Sequence, residues 1–361
     1  MVITHQGRGV IGGIDTHKDT HAVAAITATG QFLAAAQFNT NPTGYRNLLT
    51  WLRAYGVLLR VGIEGTGSYG AGLTRYLRSE GVDLVEVIRP KRAWRRRRGK
   101  SDPTDAEAAA RAALSGEANG TPKHQDGPIE AIRLLRLARR SAVLARTQAG
   151  NQLQSVVETA PVELREQLRH LRHADLVARA RRLRVAAVDT PAAAARLALR
   201  SLSVRWLALD AEVQALDAHI GRLVQEAAPQ LCAVWGVGPD TAASLLVAAG
   251  DNPERLASEA SFAALCGVSP VDASSGRHHR HRLNRGGNRD ANRALWVVAM
   301  ARMAKHPRTQ AYVQRRTEQG LGKKEIIRCL KRYIARELYR VLVDGLAPST
   351  ARPVPSNLDR P

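Results

Sequence analysis

Between Leu199 and Leu223, eight apolar residues fall at intervals of three, four, three, four, three, four and three: Leu199, Leu202, Trp206, Leu209, Val213, Leu216, Ile220 and Leu223. A repeat of this kind keeps one apolar stripe on one side of a helix for more than three heptads, the pattern of a coiled coil. It commits this part of the chain to a long helix that must lay its stripe against another helix, from a second chain or from a hairpin of the same chain. A long helix packed on its own domain is the plainer reading. The stretch from Ile129 to about Leu223 reads as wholly helical, and 129–157 is either the antiparallel partner or a core helix.

Ahead of this region the pattern changes. Gly9 to Asp15 reads as a short buried strand, His21 to Thr27 as a second, and Phe32–Phe38 as a third after the Thr29-Gly30 turn. Links this short indicate an antiparallel meander. Tyr45 to Tyr55 has helical spacing, Arg60 to Glu64 is strand-like, and Val82 to Ile88 is another strand reached through a helix near Leu73–Ser79. Strands separated by helices point to a mixed α/β sheet. Ser101-Asp102-Pro103 starts a further helix, with Pro at its first turn. A polar linker at 120–128 ends this part; 229–345 reads as helices joined by Gly-rich loops, and 348–361 as a disordered tail. The expected domains are 1–125, 126–228 and 229–346, followed by a tail at 347–361.

The 54 Lys and Arg residues outnumber the 32 Asp and Glu by 22, so the chain carries a formal charge of +22. A surface this basic gathers polyanions and releases their counterions, which makes a phosphate-rich partner the leading expectation. A hydrophobic content of 44% excludes a wholly disordered basic tail. The three cysteines, Cys232, Cys266 and Cys329, are too widely spaced for a zinc cluster and odd in number, which excludes a complete disulfide framework and favours the cytosol. No apolar run reaches about 18 residues, so no membrane span is expected. Asp15 interrupts the first apolar stretch, which argues against a signal peptide.

Several acids stand at element ends. Asp15 closes the first strand and Glu64 a later one, while Asp102 and Asp105 lie three apart at a helix start and project from one face. Carboxylates brought together at neighbouring strand ends repel one another unless cations fill the cluster. Mg2+ accepts one or two carboxylates per ion and keeps positions open for phosphate oxygens. Taken singly, Asp102 could cap its helix, Asp105 could favour its first turn, and Asp15 and Glu64 could be loop acids. Gly13-Ile14-Asp15-Thr16 and Glu64-Gly65-Thr66-Gly67 also faintly resemble the phosphate loops of sugar-kinase and actin-like ATPases, a reading that leaves the charge unexplained.

The densest basic block runs from Arg89 to Lys100. Arg92, Arg95, Arg96, Arg97, Arg98 and Lys100 are candidate phosphate contacts, and Trp94 a stacking platform for an unpaired base; a solvated loop or localisation signal is the alternative. Leu231 to Ala243 has the form of a helix-hairpin-helix, with Gly236 and Gly238 in a turn that lets backbone N–H groups approach one DNA phosphate. A plain helix turn would have the same glycines. Further on, Ser274-Ser275-Gly276 precedes Arg277, Arg280, Arg282 and Arg285. A serine there could attack phosphorus with the arginines stabilising charge, though Ser-Ser-Gly is also ordinary loop sequence. His278, His279 and His281 lack an accompanying Cys or carboxylate pattern, so phosphate contact or solvation suits them better than metal binding.

Together these stretches resemble, over nearly the full length, the DEDD insertion-sequence transposases guided by a bridge RNA. The matching elements are Gly13-Ile14-Asp15 with Lys18, Glu64-x-Thr66-Gly67-x-Tyr69, Lys100-x-Asp102-x-x-Asp105-Ala106, the hairpin, and Pro270 with Ser275-Gly276 and Gly287-Asn288. Asn284-Arg285 and Asp290 depart from the usual pattern. The resemblance implies a RuvC-like (RNase H-like) α/β domain, a coiled coil for dimerisation, and a mainly α transposase domain. It implies that Asp15, Glu64, Asp102 and Asp105 hold Mg2+ and that Ser275, rather than Ser274, is the nucleophile, in a site shared between subunits. The implied partners are donor and target DNA, a guide RNA and a second copy of the chain, or a tetramer on DNA, at the nucleoid in the cytoplasm. Two other functions stay open: a structure-selective endonuclease of the Holliday-junction type that uses water, and a non-catalytic nucleic-acid binder.

Overall fold

The computed structural model describes residues 9–87, 101–185, 187–252, 255–275 and 281–346. The chain divides into two compact units: one holds residues 1–127 with 249–264, the other 128–248 with 265–345.

The first unit is built on five strands, β1 (Gly9–Thr16), β2 (Thr20–Thr27), β3 (Phe32–Asn39), β4 (Val57–Glu64) and β5 (Leu84–Val87), in the order β3-β2-β1-β4-β5. β1, β2 and β3 form the expected antiparallel meander, while β4 lies parallel to β1 and β5 parallel to β4. Parallel neighbours need a crossover. α1 (Pro42–Arg53) leads the chain to β4, and α2 (Ala71–Ser79) leads it to β5. α1 starts where it does because the Asn41 side chain accepts the Gly44 amide at 2.8 Å, with Pro42 in the first turn. This mixed sheet is consistent with the RNase H-like arrangement implied by the resemblance.

Alternation along the strands sorts the two faces. Val10 and Ile14 of β1 and Val61 and Ile63 of β4 bury against Leu48, Leu52, Leu73 and Leu77 of α1 and α2. The opposite face offers Ile11, Val85 and Val87 to α3 (Asp102–Ser115), which answers with Ala109, Ala110 and Ala113. On that face β1 and β4 carry glycine, at Gly13 and Gly62. A Cβ on Gly13 would collide with the Ala106 carbonyl oxygen and the Ala110 backbone, and one on Gly62 would come within 2.6 Å of the Ala109 carbonyl oxygen. The alanine face of α3 therefore lies directly on the backbone of the two central strands.

The second unit is mostly helical. α4 (Pro128–Thr159) is followed by α5 (Val162–Leu168), α6 (His173–Ala180) and α7 (Pro191–Ala227). The expectation of one helical run from 129 to 223 is corrected here. The chain leaves the helix three times: before Pro161, between Leu168 and His173 where no proline stands, and after Ala180 ahead of Pro191, with Thr190 extended at φ −124° and ψ 154°. Proline pushes the residue before it out of helical geometry. α7 carries the heptad stripe; Leu199, Val213 and Ile220 are buried and the other five positions half-buried. α4 lies antiparallel to it: Arg139 pairs with Asp217, Arg146 pairs with Asp210, and Gly150 faces Trp206. In chain order after α7 come α8 (Pro229–Cys232), α9 (Pro239–Ala249), α10 (Glu259–Leu265), which belongs to the first unit but for its last residue, a two-stranded ribbon of β6 (Val271–Asp272) and β7 (His281–Arg282), then α11 (Arg289–Lys305), α12 (Pro307–Glu318) and α13 (Lys323–Leu346). The three cysteines are unpaired. Among the described residues no helix is long and apolar enough to cross a membrane.

Candidate active site

β1 and β4 are in register at Ile14 and Ile63, so Asp15 and Glu64 stand next to each other one residue further on. Alternation puts both on the face of Gly13 and Gly62, against which α3 packs. That helix begins at Asp102, and Asp105 lies one turn in, 4% exposed. Asp15, Asp102 and Asp105 thus come together at one corner of the sheet, where β1 ends and α3 starts, with Glu64 at the end of the neighbouring strand. The positive end of the α3 dipole favours carboxylates at this place.

His17, two residues after Asp15, enters the same corner. Its Nε2 lies 3.2 Å from Asp15 Oδ2 and 3.5 Å from Asp102 Oδ1. One ligand atom from each of Asp15, His17 and Asp102 lies within 4.8 Å of the others. Burial holds the Asp15 carboxyl above its ordinary pKa; His17 pulls it down, and the charges of Asp105 and Asp102 push it up again. Two carboxylate oxygens and an imidazole nitrogen at this span suit a divalent cation. The donor set fits a divalent metal ion.

The loop after Glu64 is tied down from several sides. Thr16 Oγ1 donates to the Glu64 carbonyl at 2.9 Å, and Gly65 takes a left-handed φ of +75° beside it. Thr66, 2% exposed, donates its hydroxyl to Glu86 Oε1 at 2.6 Å. Arg255 approaches Glu86 Oε2 at 3.4 Å and donates to the carbonyls of Thr121 at 2.6 Å and Ala249 at 3.0 Å. Glu86 and Arg255 had no local signature; their pairing spans well over a hundred residues of chain.

Ser275 lies at the exposed loop end of the β6–β7 ribbon. Asp272 accepts the Ser274 amide at 2.9 Å and also bonds the Ser274 side chain, which holds the Asp272 carboxyl below its usual range. Ser274 is thereby engaged in shaping the turn, one residue before Ser275. Arg282 and Arg285 are exposed nearby in the chain. Asn288 caps α11 by accepting the Ala291 amide at 2.9 Å, and Asp290 sits in that first turn, 3.9 Å from Arg140. The departure at Asp290 thus has a helix-start role. The buried Lys331 donates to Asn292 at 2.9 Å, and Asn292 donates to the carbonyls of Cys266 at 2.8 Å and Gly267 at 3.1 Å.

Gly236 and Gly238 lie between α8, a single turn of four residues, and α9. Gly236 has φ +84° and Gly238 is exposed. Arg92, Trp94, Arg95, Arg96, Arg97, Arg98, Lys100, Arg277 and Arg280 lie outside the described residues.

Two sequence comparisons bear on this arrangement. A family model for the DEDD transposases of IS110 matches residues 12–161, which hold all four acids, and a model for transposases of the IS116/IS110/IS902 family matches residues 228–314, which hold Ser275. The chain belongs to the IS110 transposase family. Among Streptomyces coelicolor proteins, this transposase is 26% identical over 367 residues to a mini-circle putative transposase for IS117, a match covering 86% of this chain and 88% of that one. It is also 33% identical over 148 residues to an uncharacterized 43.6 kDa protein of insertion element IS110, a match that spans only 36% of that protein's length. Family membership makes the chain a DNA transposase.

Proposed function

We propose that this transposase is an RNA-guided, Mg2+-dependent recombinase that cuts and rejoins DNA through a phosphoserine bond. The observation that carries the reading is the meeting of Asp15, Asp102 and Asp105 at the corner where β1 and β4 end and α3 begins, with Glu64 on the strand beside Asp15. Asp15, Glu64, Asp102 and Asp105 hold the metal. A bound divalent cation supplies charge stabilisation at the phosphate oxygens during attack.

The remaining chemistry belongs to the chain. Ser275 gives up its hydroxyl proton to solvent and its Oγ attacks phosphorus; the Oγ–P bond forms as one P–O bond to the deoxyribose breaks, and the leaving sugar oxygen takes a proton from solvent to become a hydroxyl. Attack by a hydroxyl from another DNA strand reverses the step and frees the serine. Bond energy is kept in the ester, so no nucleotide cofactor is needed. Arg282 and Arg285, with Arg277 and Arg280, balance charge on the phosphate. The basic block from Arg92 to Lys100 binds nucleic-acid backbone, Trp94 stacks on a base, and the Gly236–Gly238 turn, read as a helix-hairpin-helix, approaches a DNA phosphate. Donor and target sites are read by base pairing with a guide RNA. Residues 126–228 form a coiled-coil region that pairs two copies, with a tetramer on DNA as the larger assembly, acting at the nucleoid.

The test is a denaturing gel of the full chain with guide RNA, DNA and Mg2+. A covalent protein–DNA band that Ser275→Ala and Asp102→Ala each remove is the expected result. Cleavage to free ends without that band supports instead the water-using endonuclease, a reading favoured by the compactness of the acid-bearing unit on its own. Binding that survives EDTA, without cutting under any condition, supports a binder.

A further inference from the structure

His17 has no place in the four-acid site, yet its ring is built into the same corner. Its amide donates to the Thr20 carbonyl at 3.1 Å, and its own carbonyl accepts the Thr40 hydroxyl at 3.3 Å. The preceding residue is fixed to β4 through Thr16 and the Glu64 carbonyl. The backbone on both sides of the ring is therefore held. The side chain as a whole is 44% exposed, but Nε2 is the buried end, pointed at Asp15 and Asp102.

That nitrogen touches both carboxylates and lies close enough to Asp15 to lower its pKa as a hydrogen-bonding neighbour, yet no strictly aligned hydrogen bond joins it to either. An ion pair with a half-exposed ring adds only a little stability, so a charge pair explains the placement poorly. Donors that share one metal ion need no alignment with each other; only their separation is fixed. Two ligands at about 2.1 Å from an ion lie about 3.0 Å apart in octahedral geometry and about 3.4 Å in tetrahedral geometry. The separations of 3.2 and 3.5 Å from Nε2 to the two carboxylates are of that size.

We propose that His17 Nε2 is a direct ligand of the divalent cation held by Asp15 and Asp102, giving a mixed nitrogen–oxygen site that prefers Mn2+ to Mg2+. This rests on the metal reading of the acids above. Imidazole suits first-row transition ions, whereas Mg2+ takes oxygen donors. Binding at Nε2 leaves the ring proton on Nδ1.

The experiment is pulsed electron paramagnetic resonance of Mn2+ added to the full-length protein without nucleic acid, paired with competition of Mg2+ against bound Mn2+. The expected wild-type spectrum shows 14N modulation from a coordinated imidazole. His17→Ala loses that modulation and binds Mn2+ about tenfold or more weakly, since even outer partners of metal ligands shift affinity by that much. His17→Asp restores affinity without the nitrogen signal, and Mg2+ then competes better than it does in the wild type. Bound Mn2+ with no 14N modulation in the wild type overturns the assignment. So does unchanged or tighter Mn2+ binding in His17→Ala, which would make the ring a counter-ion that the metal displaces. If wild-type protein binds no Mn2+, and Asp15→Asn behaves alike, the metal reading of the four acids fails and this inference falls with it.

Discussion

His21 gives the sharpest pH prediction. It sits on β2, fully buried, with its ring stacked on Tyr45 at 5.8 Å between centroids and 17° between planes. Neither ring nitrogen has a hydrogen-bond partner in the structure. A charged imidazole in that setting is compensated by no contact, and electrostatic repulsion from His17 adds to the penalty when both rings are protonated. Burial first, and His17 second, lower its pKa from 6.5 to about 4. The unfolded chain takes up a proton here as pH falls through 6.5, while the folded chain does not until about pH 4. The contribution to stability is complete above pH 6.5 and is lost progressively down to about pH 4. At about 1.4 kcal/mol per pH unit, the full loss is about 3 kcal/mol, of which about 2 kcal/mol is gone by pH 5. His21→Leu removes this group, and its largest remaining effect on other titrations is the loss of the smaller coupling to His17. Urea unfolding of both proteins at several pH values between about 8 and 4.5 isolates the effect as the difference between the two curves. The variant should gain on the wild type by about 2 kcal/mol between neutral pH and pH 5. Two profiles that stay parallel in pH would refute the claim that His21 is held neutral.

Four other outcomes follow from the same geometry. Asp15→Asn removes a carboxylate whose ionised form is disfavoured by burial and by Asp105 and Asp102; without metal it should raise the Tm at pH 8 in calorimetry while abolishing DNA cutting, the trade-off expected at a strained charge cluster. Gly13→Ala pushes α3 off the sheet and should lower stability by about 1–3 kcal/mol, with weaker Mn2+ binding in titration because Asp102 and Asp105 ride on that helix. Ser275→Ala should keep DNA binding in a gel-shift assay and lose the covalent adduct entirely. Glu337 holds the buried Arg302 through bonds of 2.7 and 3.0 Å but is itself half-exposed, so Glu337→Gln should cost about 1–2 kcal/mol by thermal unfolding.

The first unit was largely legible because its strands alternate or run apolar between short polar turns, and because Ser101-Asp102-Pro103 punctuates the start of α3, whereas the Asn41-Pro42 start of α1 lies three residues ahead of the helical spacing read from Tyr45. The corner of acids follows from the same reading: a residue that closes a buried strand stands at the sheet end whatever else the chain does. Long-range ties were invisible. Nothing near Arg255 announces Glu86, and the joining of 249–264 to the first unit depends on such pairs. The heptad stripe on α7 told what kind of surface is covered but not by what, since α4 answers it with a stripe interrupted by Arg139 and Arg146 rather than with a matching repeat. The uninterrupted helix expected from Ile129 is broken at Pro161 and Pro191, two local breakers that its Ala- and Leu-rich composition hid, and also between Leu168 and His173, where no breaker residue marks the turn. His17 was passed over because a histidine beside an acid is common in loops; only the two contacts of its Nε2 set it apart.

The most direct test of the central claim is metal-centred cleavage of the protein's own backbone. Fe2+ loaded in place of Mg2+, with ascorbate and peroxide, cuts peptide bonds next to wherever the ion is bound. Cuts confined to the ends of β1 and β4 and the start of α3, suppressed by excess Mg2+ and absent in Asp15→Asn, are the expected pattern. Cuts elsewhere, or at only one of these three segments, would contradict a shared cation between them.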